Sequence, residues 1–133
     1  MKKLFLSTLL LALPLLASAY DIAVENSDGV TIYYNYYNNG TELEVTRKSR
    51  YSQDHYTGVV NIPEEVTYMS RTRKVTSIGE RAFSDCSGLT SVNIPNAVTR
   101  IGSGVFYGCC GLTSVTIPNS VTTIGEGVFS YCI

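Results

Sequence analysis

Apolar residues in the second half of the chain follow two different spacings. In residues 89–94, Leu89, Val92 and Ile94 form the pattern L-x-x-L-x-L, with the last two only two residues apart. A two-residue period places alternate side chains on one face of a strand, so this segment is predicted to be a short strand with one buried face. Pro95 then ends the strand, because proline has no N–H to donate to a neighbour.

A helical spacing precedes this strand. The apolar residues at positions i, i+4, i+5 and i+8 are Ile78, Ala82, Phe83 and Cys86. Positions at this spacing lie on one face of a helix. The pattern therefore predicts a short helical turn that packs its apolar side against the strand.

Both patterns recur with a step of 23 residues. The segment V-T-S-I-G at 75–79 returns as V-T-R-I-G at 98–102 and as V-T-T-I-G at 121–125. We predict repeats at 75–97 and 98–120 and an incomplete repeat at 121–133. A single unit buries too little apolar surface to fold alone, so neighbouring units must stack. The predicted fold class is an α/β repeat solenoid with short parallel strands and a short helical turn in each repeat.

The repeat unit, I-G-x-x-A-F-x-x-C followed by L-T-S-V-x-I-P, resembles the BspA-like leucine-rich repeats of bacterial surface proteins. The resemblance covers residues 75–133 closely and 58–68 in part, where V-N-I-P at 60–63 matches V-N-I-P at 92–95. It implies a solenoid of the leucine-rich-repeat type. The better-known repeats of this type carry Asn or Cys at the positions of Ala97 and Ser120, so no asparagine ladder is expected there.

Residues 20–74 differ from the repeats and hold most of the ten tyrosines. Residues 30–37 are β-branched and aromatic, Asn39-Gly40 is typical of a two-residue hairpin turn, and residues 41–46 alternate as a return strand. A second turn is predicted at 70–72. We expect residues 20–74 to form a β-rich N-terminal cap that includes a partial first repeat at 58–68. The cap is expected to cover the open edge of the repeat at 75–97.

The N-terminus has the features of a secretory signal peptide. Two lysines precede an apolar run at 4–16, and Ala17-Ser18-Ala19 is typical of a cleavage site. The run is shorter than the ~20 residues that cross a membrane as a helix. We predict a signal peptide at 1–19, cleavage between Ala19 and Tyr20, and a secreted or cell-surface protein without a membrane span in the mature chain.

Charge and motifs argue against nucleic-acid binding and catalysis. The formal net charge is −1, whereas a nucleic-acid binder needs a basic surface. The single histidine, His55, is interpreted as a solvated loop residue, although a Cys–His dyad is formally possible. Glu64-Glu65 follows Pro63 and is interpreted as a solvated turn. No phosphate-binding loop occurs. We predict no enzymatic activity and no cofactor.

The cysteines leave three alternatives open. Cys86, Cys109 and Cys132 occupy the same position of successive repeats, so adjacent ones are expected about 4.8 Å apart. They are interpreted as buried thiols, with one disulfide as the main alternative because the compartment is oxidising. Cys110 lies next to Cys109 and does not occupy this repeated position. A metal site is the third alternative, disfavoured because C-x-x-C pairs are absent.

The outward face of the predicted sheet is the candidate partner-binding face. It carries small uncharged residues, namely Ser91, Asn93, Ser114 and Thr116. Solenoids often bind partners through this face, although serine and threonine also occur there only as solvated positions. The family resemblance implies protein–protein interaction or adhesion to extracellular protein. The alternative is a carbohydrate-binding module that uses the cap tyrosines and the same Ser/Thr face. Since the pattern stops within a repeat at Ile133, the sequence is expected to be a fragment of a longer chain. The alternative is that the free strand edge is where a partner docks.

Overall fold

The structure is a computed structural model that describes residues 19–51 and 55–132. The predicted signal peptide lies outside the described residues except for Ala19. The described residues form ten strands: β1 (Ile22–Glu25), β2 (Thr31–Tyr37), β3 (Glu42–Thr46), β4 (Gly58–Asn61), β5 (Glu65–Tyr68), β6 (Arg71–Ile78), β7 (Leu89–Asn93), β8 (Arg100–Ile101), β9 (Ser114–Thr116) and β10 (Thr123–Ile124).

Two sheets run along the solenoid. The sheet of β4, β7 and β9 is parallel, and Val60, Val92 and Val115 are aligned across it. The larger sheet has the order β1-β2-β3-β6-β8-β10, and its pairs from β3 onward are also parallel. Equivalent residues of successive repeats thus become neighbours across a sheet. The leucine-rich-repeat architecture with short parallel strands is present.

The helical turn predicted for each repeat is not confirmed, since the described residues contain no helix. Residues 80–85 form consecutive turns in which Arg81 and Asp85 have φ of 56° and 60°. A right-handed helix requires negative φ at every residue, so these two positions interrupt it. Gly104 and Gly108 adopt the same left-handed conformation in the next repeat.

These turns also connect the repeats. Alternate N–H groups turn towards the following repeat: Phe83 N–H donates to the Val105 carbonyl at 3.0 Å, and Phe106 N–H donates to the Val128 carbonyl at 2.9 Å. The intervening N–H groups close turns within the repeat. The Cys86 N–H, for example, donates to the Phe83 carbonyl at 3.2 Å. The segment therefore satisfies its backbone groups between repeats, in a manner closer to a sheet than to a helix.

A column of aromatic rings runs along the axis of the repeats, next to the buried aliphatic side chains of the core. Phe83, Phe106 and Phe129 stack with centroids 5.5 Å apart at both steps and with interplanar angles of 17° and 12°. The regular step confirms that successive repeats are related by translation along a common axis. Tyrosines extend the column towards the N-terminus, because Tyr56 contacts Phe83 at 4.7 Å and Tyr33 contacts Tyr56 at 6.1 Å.

The repeats approach one another closely at the glycine of the I-G pair. A Cβ atom on Gly102 would lie 2.7 Å from the Glu80 nitrogen, and one on Gly125 would lie 2.4 Å from the Ser103 nitrogen. Neither glycine has positive φ, so the requirement is space and not backbone freedom. Any side chain at these positions would push neighbouring repeats apart.

Both hairpins predicted in the segment before the repeats are present, but their turns differ from the predicted ones. β2 and β3 pair antiparallel around a loop at 38–41, longer than the predicted two residues, in which Asn38, Asn39 and Gly40 all have positive φ. β5 and β6 pair around Met69 and Ser70, one residue before the expected turn. Val60 and Val92 are 32 residues apart, compared with 23 for Val92 and Val115, so the β5–β6 hairpin is an insertion in the first repeat.

Candidate binding face

The exposed side of the β4-β7-β9 sheet carries two columns of side chains. Ser91 is aligned with Ser114, and Asn93 is aligned with Thr116. Asn93, Ser114 and Thr116 are exposed and Ser91 is half-buried, because Val92 and Val115 between them point to the core. All four residues of the predicted face therefore lie on one side of one sheet.

β4 extends this face by one strand that sequence reasoning left out. Asn61 is aligned with Asn93, and their side-chain amides are hydrogen bonded, with Asn93 Nδ2 donating to Asn61 Oδ1. Asn61 Nδ2 in turn donates to Asp28 Oδ2 at 2.7 Å. The signal in the sequence was the shared V-N-I-P motif, which places an outward asparagine on both strands. The face thus contains a row of linked polar groups.

The turn between β1 and β2 covers the first edge of this sheet. Asn26 Nδ2 donates to the Asn61 carbonyl at 2.9 Å, and Asn26 Oδ1 accepts the N–H of Val30 at 3.0 Å within the turn. An uncovered strand edge invites pairing with another chain. On the side of β4, the edge of the candidate face is therefore partly covered by this turn.

A second polar column lies on the larger sheet. Glu44, Ser77, Arg100 and Thr123 are aligned across β3, β6, β8 and β10. Ser77 is fully buried and its hydroxyl donates to Glu44 Oε2 at 2.6 Å, while the Arg100 guanidinium lies 3.4 Å from the same oxygen. No local pattern predicts this cluster, because Glu44 is 33 and 56 residues from its two partners.

The four cysteines are free thiols. Cys86 and Cys109 are buried, Cys132 is half-buried and Cys110 is exposed. The Cys109 thiol donates to the Phe83 carbonyl at 2.9 Å, and the Cys132 thiol donates to the Phe106 carbonyl at 2.7 Å. Each thus connects its repeat to the one before. Burial raises the pKa of Cys86 to about 11 and that of Cys109 to about 12.

His55 and Cys86, the two residues considered for a Cys–His dyad, line the same cavity. Burial raises the pKa of the Cys86 thiol to about 11. Glu64 and Glu65 are exposed, and the Glu64 carbonyl accepts the N–H of Val75 at 2.9 Å. Within the described residues, no group of three or more His, Cys, Asp or Glu is placed to hold a metal ion.

The tyrosines of the N-terminal segment have mixed environments. Tyr34 is buried, and the loss of solvation on burial raises its pKa above the ordinary value. Tyr56 is buried too, and its hydroxyl donates to the Thr46 carbonyl at 2.7 Å. Tyr36 and Tyr51 are exposed, and the Arg73 guanidinium lies 4.7 Å from the centre of the Tyr36 ring. Most of the contact area of Tyr34 and Tyr56 is therefore used in packing.

Comparison with known proteins agrees with this geometry. The profile of the BspA-type leucine-rich repeat region matches residues 63–133, more than half of the chain, in six copies. The chain belongs to the BspA-type leucine-rich repeat family. Comparison with curated protein sequences finds no significant match. Proteins of this family are in general binding modules. Within the part of the chain that the structure describes, no helix is long and apolar enough to cross a membrane.

Solved structures of bacterial leucine-rich repeat proteins are similar over most of this chain. A leucine-rich repeat protein of Bacteroides ovatus is 35% identical with a TM-score of 0.71, and the match covers 85% of this chain and 27% of that one. A leucine-rich cell surface protein of Faecalibacterium prausnitzii is 29% identical with a TM-score of 0.63, and the match covers 84% and 28%. This BspA-type chain therefore spans about a quarter of the length of either relative.

A third structure shows the fold alone. A leucine-rich repeat protein of Bacteroides capillosus is 21% identical with a TM-score of 0.59, and the match covers 84% of this chain and 92% of that one.

Proposed function

We propose that this BspA-type chain is a secreted or cell-surface module that binds an extracellular protein through the exposed face of the β4-β7-β9 sheet and catalyses no reaction. The observation that supports this most directly is the alignment of Asn61, Asn93 and Thr116 across three parallel strands. Linked amides beside the Thr116 hydroxyl offer donors and acceptors on a regular surface, which suits the polar groups of a protein partner.

The surface location rests on two separate supports. The N-terminal residues have the pattern of a signal peptide, and a relative of similar fold is described as a cell surface protein. In the structure, the ring of Tyr20 packs on Tyr33 with centroids 4.8 Å apart. A chain that begins at Tyr20 would keep this contact, which is compatible with cleavage after Ala19.

Cleavage is tested by expressing the full chain in a bacterium with an intact secretory pathway. Intact mass and N-terminal sequencing of the exported protein are expected to show Tyr20 as its first residue. A protein that stays in the cytoplasm with residues 1–19 attached would contradict the proposed location.

The binding face is tested with arginine substitutions on exposed positions. Asn93→Arg and Ser114→Arg place a bulky charge on the face, whereas Ser103→Arg introduces the same change on the exposed turn segment. Binding of the parent protein to a panel of immobilised extracellular-matrix proteins is measured by surface plasmon resonance. We expect the first two variants to lose binding and Ser103→Arg to retain it. Equal binding by all three folded variants would exclude this face.

The carbohydrate alternative depends on the tyrosines that remain accessible. Tyr34 is buried, so its removal would test packing and not recognition. Tyr36 and Tyr51 expose 42% and 88% of their surface and are the most exposed tyrosines of the N-terminal segment. Glycan-array binding that is lost in Tyr36→Ala or Tyr51→Ala, and unaffected by Asn93→Arg, would favour this alternative.

A further inference from the structure

A groove lies between the turn that follows β1 and the start of the β5–β6 hairpin. Its volume is about 260 Å³. Residues 24–27 line one side, Pro63 and residues 65–67 line the other, and Tyr34 of β2 also lines it. None of the residues assigned to the β4-β7-β9 face lines this groove, so it is a separate site.

The inner part of the groove is apolar. Val66 is only 5% exposed, and Val24 and Pro63 are half-buried. The least exposed residues of a groove form its floor, so hydrocarbon makes up most of the floor here. An aliphatic chain that lies on such a floor removes apolar surface from water on both sides of the contact.

The phenolic hydroxyl of Tyr34 lacks a hydrogen-bond partner. Tyr34 is 1% exposed, and burial raises its pKa without any hydrogen bond within the described residues to offset the effect. Of the partnerless polar side-chain atoms in the described residues, the Ser84 hydroxyl is the fully enclosed one, so the Tyr34 hydroxyl keeps some accessible surface. Because a buried hydroxyl without a partner costs free energy, an occupant that pairs with it is favoured.

Two carboxylates stand at the rim, one on each side of the groove. Glu25 ends β1 and Glu65 begins β5, and both are exposed and line the groove. Within residues 19–51 and 55–132, neither has an ion-pair partner. Lys74 is aligned with Glu65 across the hairpin but forms no ion pair with it and does not line the groove. No basic residue lines the groove, so its charge is negative.

Both sides of the groove are held in place without a ligand. Asn26 Oδ1 accepts the N–H of Val30 at 3.0 Å, and Asn26 Nδ2 donates to the Asn61 carbonyl at 2.9 Å. On the other side, the Val75 N–H donates to the Glu64 carbonyl at 2.9 Å. A site that already has its binding geometry loses little conformational freedom when a ligand enters.

We propose that this groove binds a lysine side chain of a partner protein, with its ammonium near Glu25, Glu65 and the Tyr34 hydroxyl. An ammonium has three N–H donors and no acceptor, which matches these three acceptor groups. The unbranched four-carbon stem of lysine is apolar and packs on Val24 and Val66. The inference does not depend on the partner proposed for the β4-β7-β9 face.

The test is an NMR titration of the ¹⁵N-labelled full chain with the tripeptide acetyl-Gly-Lys-Gly-amide. The amide signals of Val24 and Val66 are expected to shift with millimolar affinity. The same peptide with Nε-acetyllysine keeps the stem and loses the charge, so it is expected to bind at least about tenfold more weakly. Equal binding of the two peptides, or no shift at these two residues at tens of millimolar peptide, would overturn the proposal.

An arginine peptide tests the choice of lysine. Acetyl-Gly-Arg-Gly-amide is expected to bind more weakly, because its apolar stem is one carbon shorter and its charged head is wider. Equal or tighter binding of the arginine peptide would show that the groove does not select lysine.

Two carboxylate variants locate the ammonium. Glu25→Gln and Glu65→Gln are each expected to weaken binding of the lysine peptide at least about threefold, because the ammonium loses one charged partner. Glu126→Gln removes an equally exposed carboxylate from the turn segment of the repeat that begins at 121, and it should leave the affinity unchanged. Unchanged affinity in either folded groove variant would contradict the assignment.

Tyr34→Phe keeps the ring and removes only the hydroxyl. It is expected to weaken lysine-peptide binding about threefold without lowering the melting temperature, because the hydroxyl has no partner to lose. Tyr56→Phe is the matched control, since its hydroxyl donates to the Thr46 carbonyl at 2.7 Å. That variant should melt at a lower temperature and bind the peptide normally. A lower melting temperature or an unchanged affinity in Tyr34→Phe would overturn the assigned contact.

Discussion

The repeats that begin at residues 98 and 121 share most of their sequence, yet equivalent side chains are buried to different extents. Phe106 and Ile101 are fully buried, whereas Phe129 and Ile124 are 47% and 52% exposed. The difference arises because the first pair has a described repeat on both sides and the second pair has one on a single side. Burial in this fold is therefore a property of the neighbours and not of the repeat sequence.

The same comparison holds at the N-terminal side, where the neighbour is not a repeat. Phe83 is fully buried because Tyr56 takes the place of a preceding phenylalanine in the aromatic column. The N-terminal segment therefore packs against the first full repeat as a preceding repeat would, although its sequence is different. It supplies ring contact, a paired strand and the turn that covers β4.

The largest effect is expected for removal of a ring within the column. Phe106→Ala should lower the free energy of unfolding by about 3–5 kcal/mol, because it leaves a cavity between two stacked rings. Phe129→Ala should cost less than half as much, since its ring is half exposed already. Urea denaturation followed by circular dichroism measures both. Equal losses would show that burial does not depend on neighbouring repeats.

A smaller effect is expected in the polar column of the larger sheet. Ser77→Ala should cost about 1.5–3 kcal/mol, because it removes a buried hydrogen bond to the Glu44 carboxylate. Thr123 occupies the aligned position two strands away and is exposed, so Thr123→Ala should have almost no effect. The same denaturation measurement applies, and a Thr123→Ala variant as unstable as Ser77→Ala would contradict the comparison.

The ion pair of that column should contribute less again. Arg100 is 43% exposed on its side chain and lies 3.4 Å from Glu44, so Arg100→Gln should cost only about 0–1 kcal/mol. The loss should disappear in about 1 M salt, where screening shortens the range of charge interactions. The effect of Ser77→Ala should persist in the same salt. A salt-independent loss in Arg100→Gln would mean that packing, and not charge, holds this residue.

The buried thiols should make the free energy of unfolding depend on pH only in the alkaline range. Burial raises the folded-state pKa of Cys109 to about 12 from the ordinary 9.0, so the neutral thiol stabilises the folded state below about pH 9. As the pH rises towards 12 the unfolded state loses its proton first, and stability falls.

Cys109→Ala provides the comparison for this titration. Between about pH 9 and 10 its unfolding free energy should fall less than that of the parent, whereas the exposed control Cys110→Ala should follow the parent. Chemical denaturation at several pH values measures the slopes. Identical slopes in the parent and Cys109→Ala would show that this thiol does not titrate with a raised pKa.

The sequence alone determined the repeat and its consequences. A step of 23 residues determines which residues become neighbours between repeats, so the aligned valines of β7 and β9 and the stacked phenylalanines followed from the spacing. The two-residue period on the strands also identified Ser91, Asn93, Ser114 and Thr116 as members of one face. Local periodicity determines these features because each repeat contacts only its neighbours.

The tertiary structure decided what local periodicity does not contain. Positions i, i+4 and i+8 suggested a helix, but the turn segments use left-handed residues so that alternate N–H groups reach the next repeat. The contact of Ser77 with Glu44 and the groove between Glu25 and Glu65 each join segments that are far apart in sequence. Such contacts depend on how the N-terminal segment packs on the first repeat, and that packing has no period from which it can be predicted.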